Sequence, residues 1–452
     1  MHCNRPPHGG SHKRGRDVLP MKNWLGRLVN KNTDPVKFSF FSIMGTAVFG
    51  FILAMFATRG ACLTSLLFWL NNDTNMDYFN SVYGAVLDPY QRGQIYPPLA
   101  HGFYVLLAHM TPQAVVELPP FALRNTFHAQ GLFQSLTAII NLTLALQLFH
   151  HFKGARWKRI AFVSMIFLSA PFLFQLQRAN IIIVALLFLI AFMFGKDSEN
   201  KFIRELSYIA LAVAAAIKVY PALFGLLLLK DKQWKPALRC AIYGVVLLLG
   251  PFVFFGGFSQ IPVWLHNMQA YIDVQSNFGF GFQVNFSNLI TLLFQTQGIS
   301  GDSVTAFATG VTNALFVLGL GSTFFLKKWK PACLLGLLCV GFPNFSYTYT
   351  LIFMFVPLIF FLQERARTPI DWAYLPLFLG MMMPLAIGSP DMLKMLPGEM
   401  RVSISALTQS FSVLMMTILL IGEGIKGAAA WAREKVEQRK GALATASASS
   451  GH

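Results

Sequence analysis

Two acids, Asp73 and Asp77, stand four residues apart in a chain that has only 19 Asp and Glu among 452 residues. Four residues is one helical turn, so the two carboxylates would share a face. A carboxylate is the usual general base for a hydroxyl nucleophile. Two cations stand in apolar surroundings. Lys218 precedes Val219, Tyr220 and Pro221 in an otherwise apolar run, and Arg178 is followed two residues on by Asn180. An ionisable group at membrane depth is costly and marks a site. A pair of cations suits a phosphate, which they would hold by charge-assisted hydrogen bonds. Arg178 alone has the plainer reading of a helix-end side chain reaching for headgroups. Tyr78, Arg92, Tyr96 (ahead of Pro97 and Pro98), Asn180, Tyr220, His266, Asn285 and Tyr349 complete the candidates. They offer the aromatic and amide contacts a sugar needs.

The elements that must position these residues are membrane helices. Hydrophobic residues make up 55% of the chain and charged residues 12%, with 44 Phe. A soluble domain carries about 25% charge. The pattern defines an all-α polytopic membrane protein. Basic residues cluster at 151–159, 196–204, 230–239, 327–330, 364–367 and 426–440, between apolar runs. If all are cytoplasmic, as the positive-inside rule expects, apolar runs cross in pairs between them. Full crossings then fall near 38–58, 126–150, 160–177, 180–195, 237–255, 305–326, 331–345, 349–362, 372–388 and 403–422. Residues 95–111 and 286–297 read as outer helices, 62–70 as an interfacial helix, and 206–229 as two short helices broken at Lys218–Pro221. The total is ten to twelve crossings, with large outer segments from 59 to about 125 and from 256 to about 288. All the candidate residues then face the extracytoplasmic side. Residues 1–37 form a cytoplasmic basic tail, 38–425 the transmembrane domain and 426–452 a second cytoplasmic tail, basic and then Ala/Ser-rich. Residues 441–452 read as disordered.

The net charge of +17 does not point to nucleic acid, because the cations are scattered among loops and form no compact face. The five cysteines have no metal-ligand spacing. No Walker loop and no GxGxxG occurs, which fits a donor that is a lipid phosphate and not a soluble nucleotide. An acid, two cations and aromatic residues at a membrane's outer edge suit sugar transfer from such a lipid. The competing class is a transporter or flippase of lipid-linked sugars. It would share the basic anchors, but more often shows a duplicated helical architecture, and no internal repeat is found.

At these residues the sequence resembles a known family. Asp77-Tyr78 with Tyr83, then Tyr96-Pro97-Pro98-Leu99, is similar to the D-x-x-x-Y…YPPL pattern of family 87 glycosyltransferases, polytopic enzymes of the GT-C superfamily. Arg178-Ala179-Asn180 is similar to that family's R-G-Q-x-N hairpin. Ala214 to Leu223 resembles its A-A-x-K-x-x-P-x-L run. Asn285-Phe286-Ser287-Asn288-Leu289 and Pro343 to Tyr347 are similar to two further segments. Tyr347, Thr348 and Tyr349 stand where many members carry a His. The resemblance implies a GT-C transmembrane fold with outer juxtamembrane helices. It implies transfer of a sugar, mannose foremost, from a polyprenyl-phosphate donor to a glycolipid or glycan acceptor, with inversion. It makes Asp77 the base, with Asp73 the second candidate, and requires no metal or other cofactor.

Overall fold

The computed structural model describes residues 34–68, 74–86, 89–91, 93–276, 281–344, 346–387 and 403–449. Asp73 and Arg92 lie outside the described residues, as does nearly all of the N-terminal tail. Every regular element among the described residues is helical. Asp34 caps α1 (Pro35–Ala57): its carboxylate accepts from Val36 N at 3.0 Å and Lys37 N at 3.4 Å, and proline fits the first turn because it lacks the N–H that would be orphaned there. Short helices follow, α2 (Met76–Val86), α3 (Pro98–His109), α4 (Gln113–Val116) and α5 (Pro120–Arg124). Then come α6 (Phe127–His151), α7 (Arg156–Phe167), α8 (Ala170–Arg178) and α9 (Ile182–Gly195). Next, α10 (Lys201–Ile217) leads through a 3₁₀ turn, Tyr220–Gly225, to α11 (Leu226–Lys230) and α12 (Trp234–Leu249). The remainder is α13 (Gln260–Ser276), α14 (Phe286–Gln295), α15 (Asp302–Thr323), α16 (Lys330–Gly341), a 3₁₀ segment Thr348–Met354 with α17 (Phe355–Gln363), α18 (Asp371–Met382) and α19 (Ile404–Ser449).

Five of these are long and apolar enough to cross a membrane: α1, α6, α12 with its 3₁₀ extension to Phe254, α15, and α19 as far as Lys440. The bent pair α7–α8, angled by 55°, makes a sixth if it is one span. The ten to twelve expected crossings are therefore not all met on length. At 180–195, 331–345 and 372–388 stand α9, α16 and α18, of 14, 12 and 12 residues. These reach only about 18–21 Å, against a hydrocarbon core of about 30 Å. Their burial supplies the reason. Every residue of α16 from Pro331 to Gly341 is buried. An interior helix contacts protein at its ends and need not match the bilayer.

The break expected in residues 206–229 is present. α10 ends at Ile217, and Lys218 is its C-cap in extended backbone (φ −144°, ψ 117°). The first piece is longer than half of that run because Asn200 caps it at Lys201, accepting from Phe202 N at 2.9 Å. The run 62–70 begins as a 3₁₀ turn, Ala61–Ser65, and its last two residues lie outside the described ones. The disorder expected of 441–452 is corrected as far as Ser449, since α19 continues unbroken to that residue. Ala, Glu, Lys, Arg and Gln favour helix, and adding turns to an existing helix requires no new nucleus.

Candidate active site

Three helix ends deliver three charges to one place. Asp77 lies in the first turn of α2, Arg178 in the last turn of α8, and Lys218 caps the C-terminus of α10. An acid at a helix start and a cation at a helix end each gain about 0.3–1 kcal/mol from the helix dipole. Between Arg178 and Asn180 the chain turns through Ala179 at φ 54°, ψ 40°. This left-handed conformation costs a residue with a Cβ about 1–2 kcal/mol, and it lets both neighbours reach the same carboxylate.

Arg178 Nη2 is ion-paired with Asp77 Oδ1. Asn180 Nδ2 donates to Asp77 Oδ2 at 2.7 Å and to Tyr96 Oη at 2.9 Å. The other face of that amide is also fixed: Asn180 Oδ1 accepts from Ile182 N at 3.0 Å, opening α9. The orientation of the amide is thus determined by its partners. Burial holds the Tyr96 phenol well above the ordinary tyrosine range, so it stays neutral. Lys218 Nζ sits 4.6 Å from the centre of the Tyr96 ring, within cation–π range. Among the described residues Lys218 makes no salt bridge, and Asp77 is the carboxylate near enough to act on its charge.

These groups open onto a cleft of about 690 Å³ that Asp77, Tyr96, Arg178, Asn180, Lys218 and Tyr349 line together. Aromatic rings form one wall: Phe68 lies 5.1 Å from Phe282 and 5.8 Å from Tyr347 between ring centres, and the Arg178 guanidinium lies 5.0 Å from the Phe68 ring. That wall is joined by backbone hydrogen bonds, Val284 N to Ser346 O at 2.5 Å and Thr348 N to Phe282 O at 3.0 Å. Gln94 presses on α2 so closely that a Cβ on Gly84 would stand 2.5 Å from its amide nitrogen. A side chain at position 84 would push the end of the Gln94 side chain aside.

The other sequence candidates lie elsewhere. Tyr78 points to another side of α2 and packs on Phe133 at 4.8 Å between ring centres. Tyr220 is in the 3₁₀ turn, where its carbonyl accepts the Cys339 thiol at 3.1 Å. His266 is exposed on α13. Asn285 is buried as the N-cap of α14, accepting from Asn288 N at 2.7 Å and donating to Asn344 O at 2.9 Å. None of the four lines the cleft. Gln94, Tyr271, Phe282 and Gln283 do line it, and sequence reasoning missed them. Gln94 and Gln283 each stand two residues before a candidate, Tyr96 and Asn285, which is the only signal either gives. Among the described residues no three His, Cys, Asp or Glu side chains gather as a metal site.

The apolar helices of membrane length mark a membrane protein, and charged and polar side chains line the cleft. The chain belongs to glycosyltransferase family 87, whose family model matches residues 94–342, more than half of its length. It is therefore a glycosyltransferase. The matched region takes in Tyr96, Arg178, Asn180 and Lys218, while Asp77 lies before it and Tyr349 beyond it. No curated protein and no solved structure gave a significant match.

Proposed function

We propose that the protein transfers a sugar, mannose foremost, from a polyprenyl-phosphate donor to an acceptor hydroxyl on a glycolipid or glycan, at the extracytoplasmic face of the cytoplasmic membrane and with inversion. The fold is then a GT-C one, with ten to twelve crossings when the short interior helices are counted. The observation that carries this reading is the convergence of Asp77, Arg178, Asn180 and Lys218 on one cleft.

In the proposed step the acceptor oxygen attacks the anomeric carbon and Asp77 takes its proton. The bond from that carbon to the phosphate oxygen breaks, and the lipid phosphate leaves with the electron pair. Attack opposite the leaving group inverts the centre. Lys218, which makes no salt bridge among the described residues, and Arg178 neutralise the phosphate, as fixed cations do for developing charge. Asn180 holds the carboxylate in place through its 2.7 Å hydrogen bond. The aromatic wall of Phe68, Phe282 and Tyr347 gives the sugar an apolar face to lie against.

The test is sugar transfer from a synthetic polyprenyl-phosphate donor by purified, monodisperse variants. Asp77→Asn retains donor binding and loses turnover by at least ~10²-fold, the usual weight of a general base. Asp73→Asn loses less. Near-normal turnover in Asp77→Asn with a dead Asp73→Asn would move the role to Asp73; normal turnover in both would reject base catalysis by either.

A further inference from the structure

A second cleft of about 680 Å³ lies at the far end of the same helices. α9 runs 14 residues, about 21 Å, from the Asn180 end to Lys196, and the chain from Lys218 through α11 ends at Lys230. Five cations line this cleft, Lys153, Lys196, Lys230, Lys328 and Arg365, against three carboxylates, Asp197, Asp231 and Glu364. Two of the cations account for all three acids. Lys196 Nζ reaches Asp197 at 2.7 Å and Asp231 at 3.1 Å, and Lys328 Nζ reaches Glu364 at 3.1 Å. Lys153, Lys230 and Arg365 have no carboxylate partner among the described residues. Met193, Leu227, Pro331 and Phe360 give the same cleft an apolar part to its lining.

We propose that this cleft binds the phosphate headgroup of an anionic phospholipid from the leaflet opposite the catalytic cleft. Lys153, Lys230 and Arg365 would hold the phosphate, with the start of the acyl chains on the apolar part of the lining. The positive-inside rule accounts for lysines between membrane helices. It does not account for cations from separate connections meeting around one cavity and leaving three of their number without an acid. A phosphate offers several strong acceptors and answers that excess. The apolar part distinguishes the ligand from a free phosphate, because a small hydrophilic anion gains nothing from Met193 and Phe360, whereas lipid chains do. The site is independent of the sugar-transfer reading, since none of its lining residues lines the catalytic cleft.

The experiment uses the full chain, delipidated in a neutral detergent and titrated separately with phosphatidylglycerol, phosphatidylcholine and glycerol 3-phosphate. Thermal unfolding and lipid retained in native mass spectra are the readouts. Phosphatidylglycerol raises the unfolding temperature and stays bound, while the other two do neither. The triple variant Lys153→Gln, Lys230→Gln, Arg365→Gln weakens phosphatidylglycerol binding by at least about tenfold, the scale of lost charged hydrogen bonds, and keeps its transfer activity in detergent. Equal retention by wild type and triple variant would overturn the proposal, as would an equal response to phosphatidylcholine. A full response to glycerol 3-phosphate alone would overturn the lipid assignment in favour of a soluble anion. If the triple variant aggregates, the three single variants decide: each weakens phosphatidylglycerol binding alone, or the proposal fails.

Discussion

The Asn180 amide stands 2.7 Å from the Asp77 carboxylate and shares its donor nitrogen with the Tyr96 hydroxyl at 2.9 Å. One buried side chain thus sets the position of the acid relative to the ring that lies under Lys218. Hydrogen bonds to a charged group contribute about 1.5–3 kcal/mol. Asn180→Leu is expected to lower kcat about 10- to 150-fold on that scale, with donor affinity near wild type because Lys218 is untouched. Unchanged kcat in a well-folded variant would remove Asn180 from the positioning role.

Lys218 is expected to act on the donor. Lys218→Ala weakens donor binding by about 2–4 kcal/mol, the scale of removing a single donor to an anion in an active site. Lys218→Arg restores part of it. The alternative is a lysine that only caps α10; stability then falls while activity per folded molecule does not. Wild-type donor affinity and turnover in Lys218→Ala reject the phosphate role.

Ala179 carries strain at φ 54°. Ala179→Gly is expected to fold at least as well as wild type, since glycine adopts that conformation freely. Ala179→Val is expected to lose about 1–3 kcal/mol. Turnover falls with it, because Arg178 and Asn180 flank the turn. Thermal unfolding of the two variants in the same detergent reads the difference.

The orientation is tested by labelling. In a cysteine-free background, Asn80→Cys, in the candidate cleft, is expected to react with an impermeant maleimide in intact cells. Trp234→Cys, at a position 66% exposed at the start of α12, is expected to react only after permeabilisation. Equal labelling of both in intact cells reverses or abolishes the proposed topology.

Much of the architecture was legible because bilayer length and charge placement act locally along the chain. The long helices α1, α6, α12 and α15 lie where apolar runs of about 20 residues predict them. The break at Lys218 was readable from a lysine and a proline in an apolar run. The partnership of Asp77 with Arg178 was not, since the two are 101 positions apart and nothing near either names the other. The sequence points both Arg178 and Lys218 at a phosphate, and the structure adds that Arg178 also pairs with the acid. The wall from Gln283 to Tyr347 arises from pairing of two distant segments, and Tyr271 reaches the cleft from a helix whose own pattern is unremarkable. Helix length was misjudged at α16 and α18 because burial by neighbours, invisible in a hydropathy run, relieves a helix of matching the lipid.

α19 is 46 residues long, about 69 Å, more than twice the thickness of the hydrocarbon layer. Its first half is packed among other helices, and its residues from Ala430 to Lys440 are exposed. The protruding half therefore inherits a ready-made nucleus and grows by propagation alone, with little packing to hold it. Such a rod frays from its tip inward. Its helical signal should fade gradually with warming, well before the membrane-embedded body unfolds, so a melting curve of the whole chain will slope before it breaks.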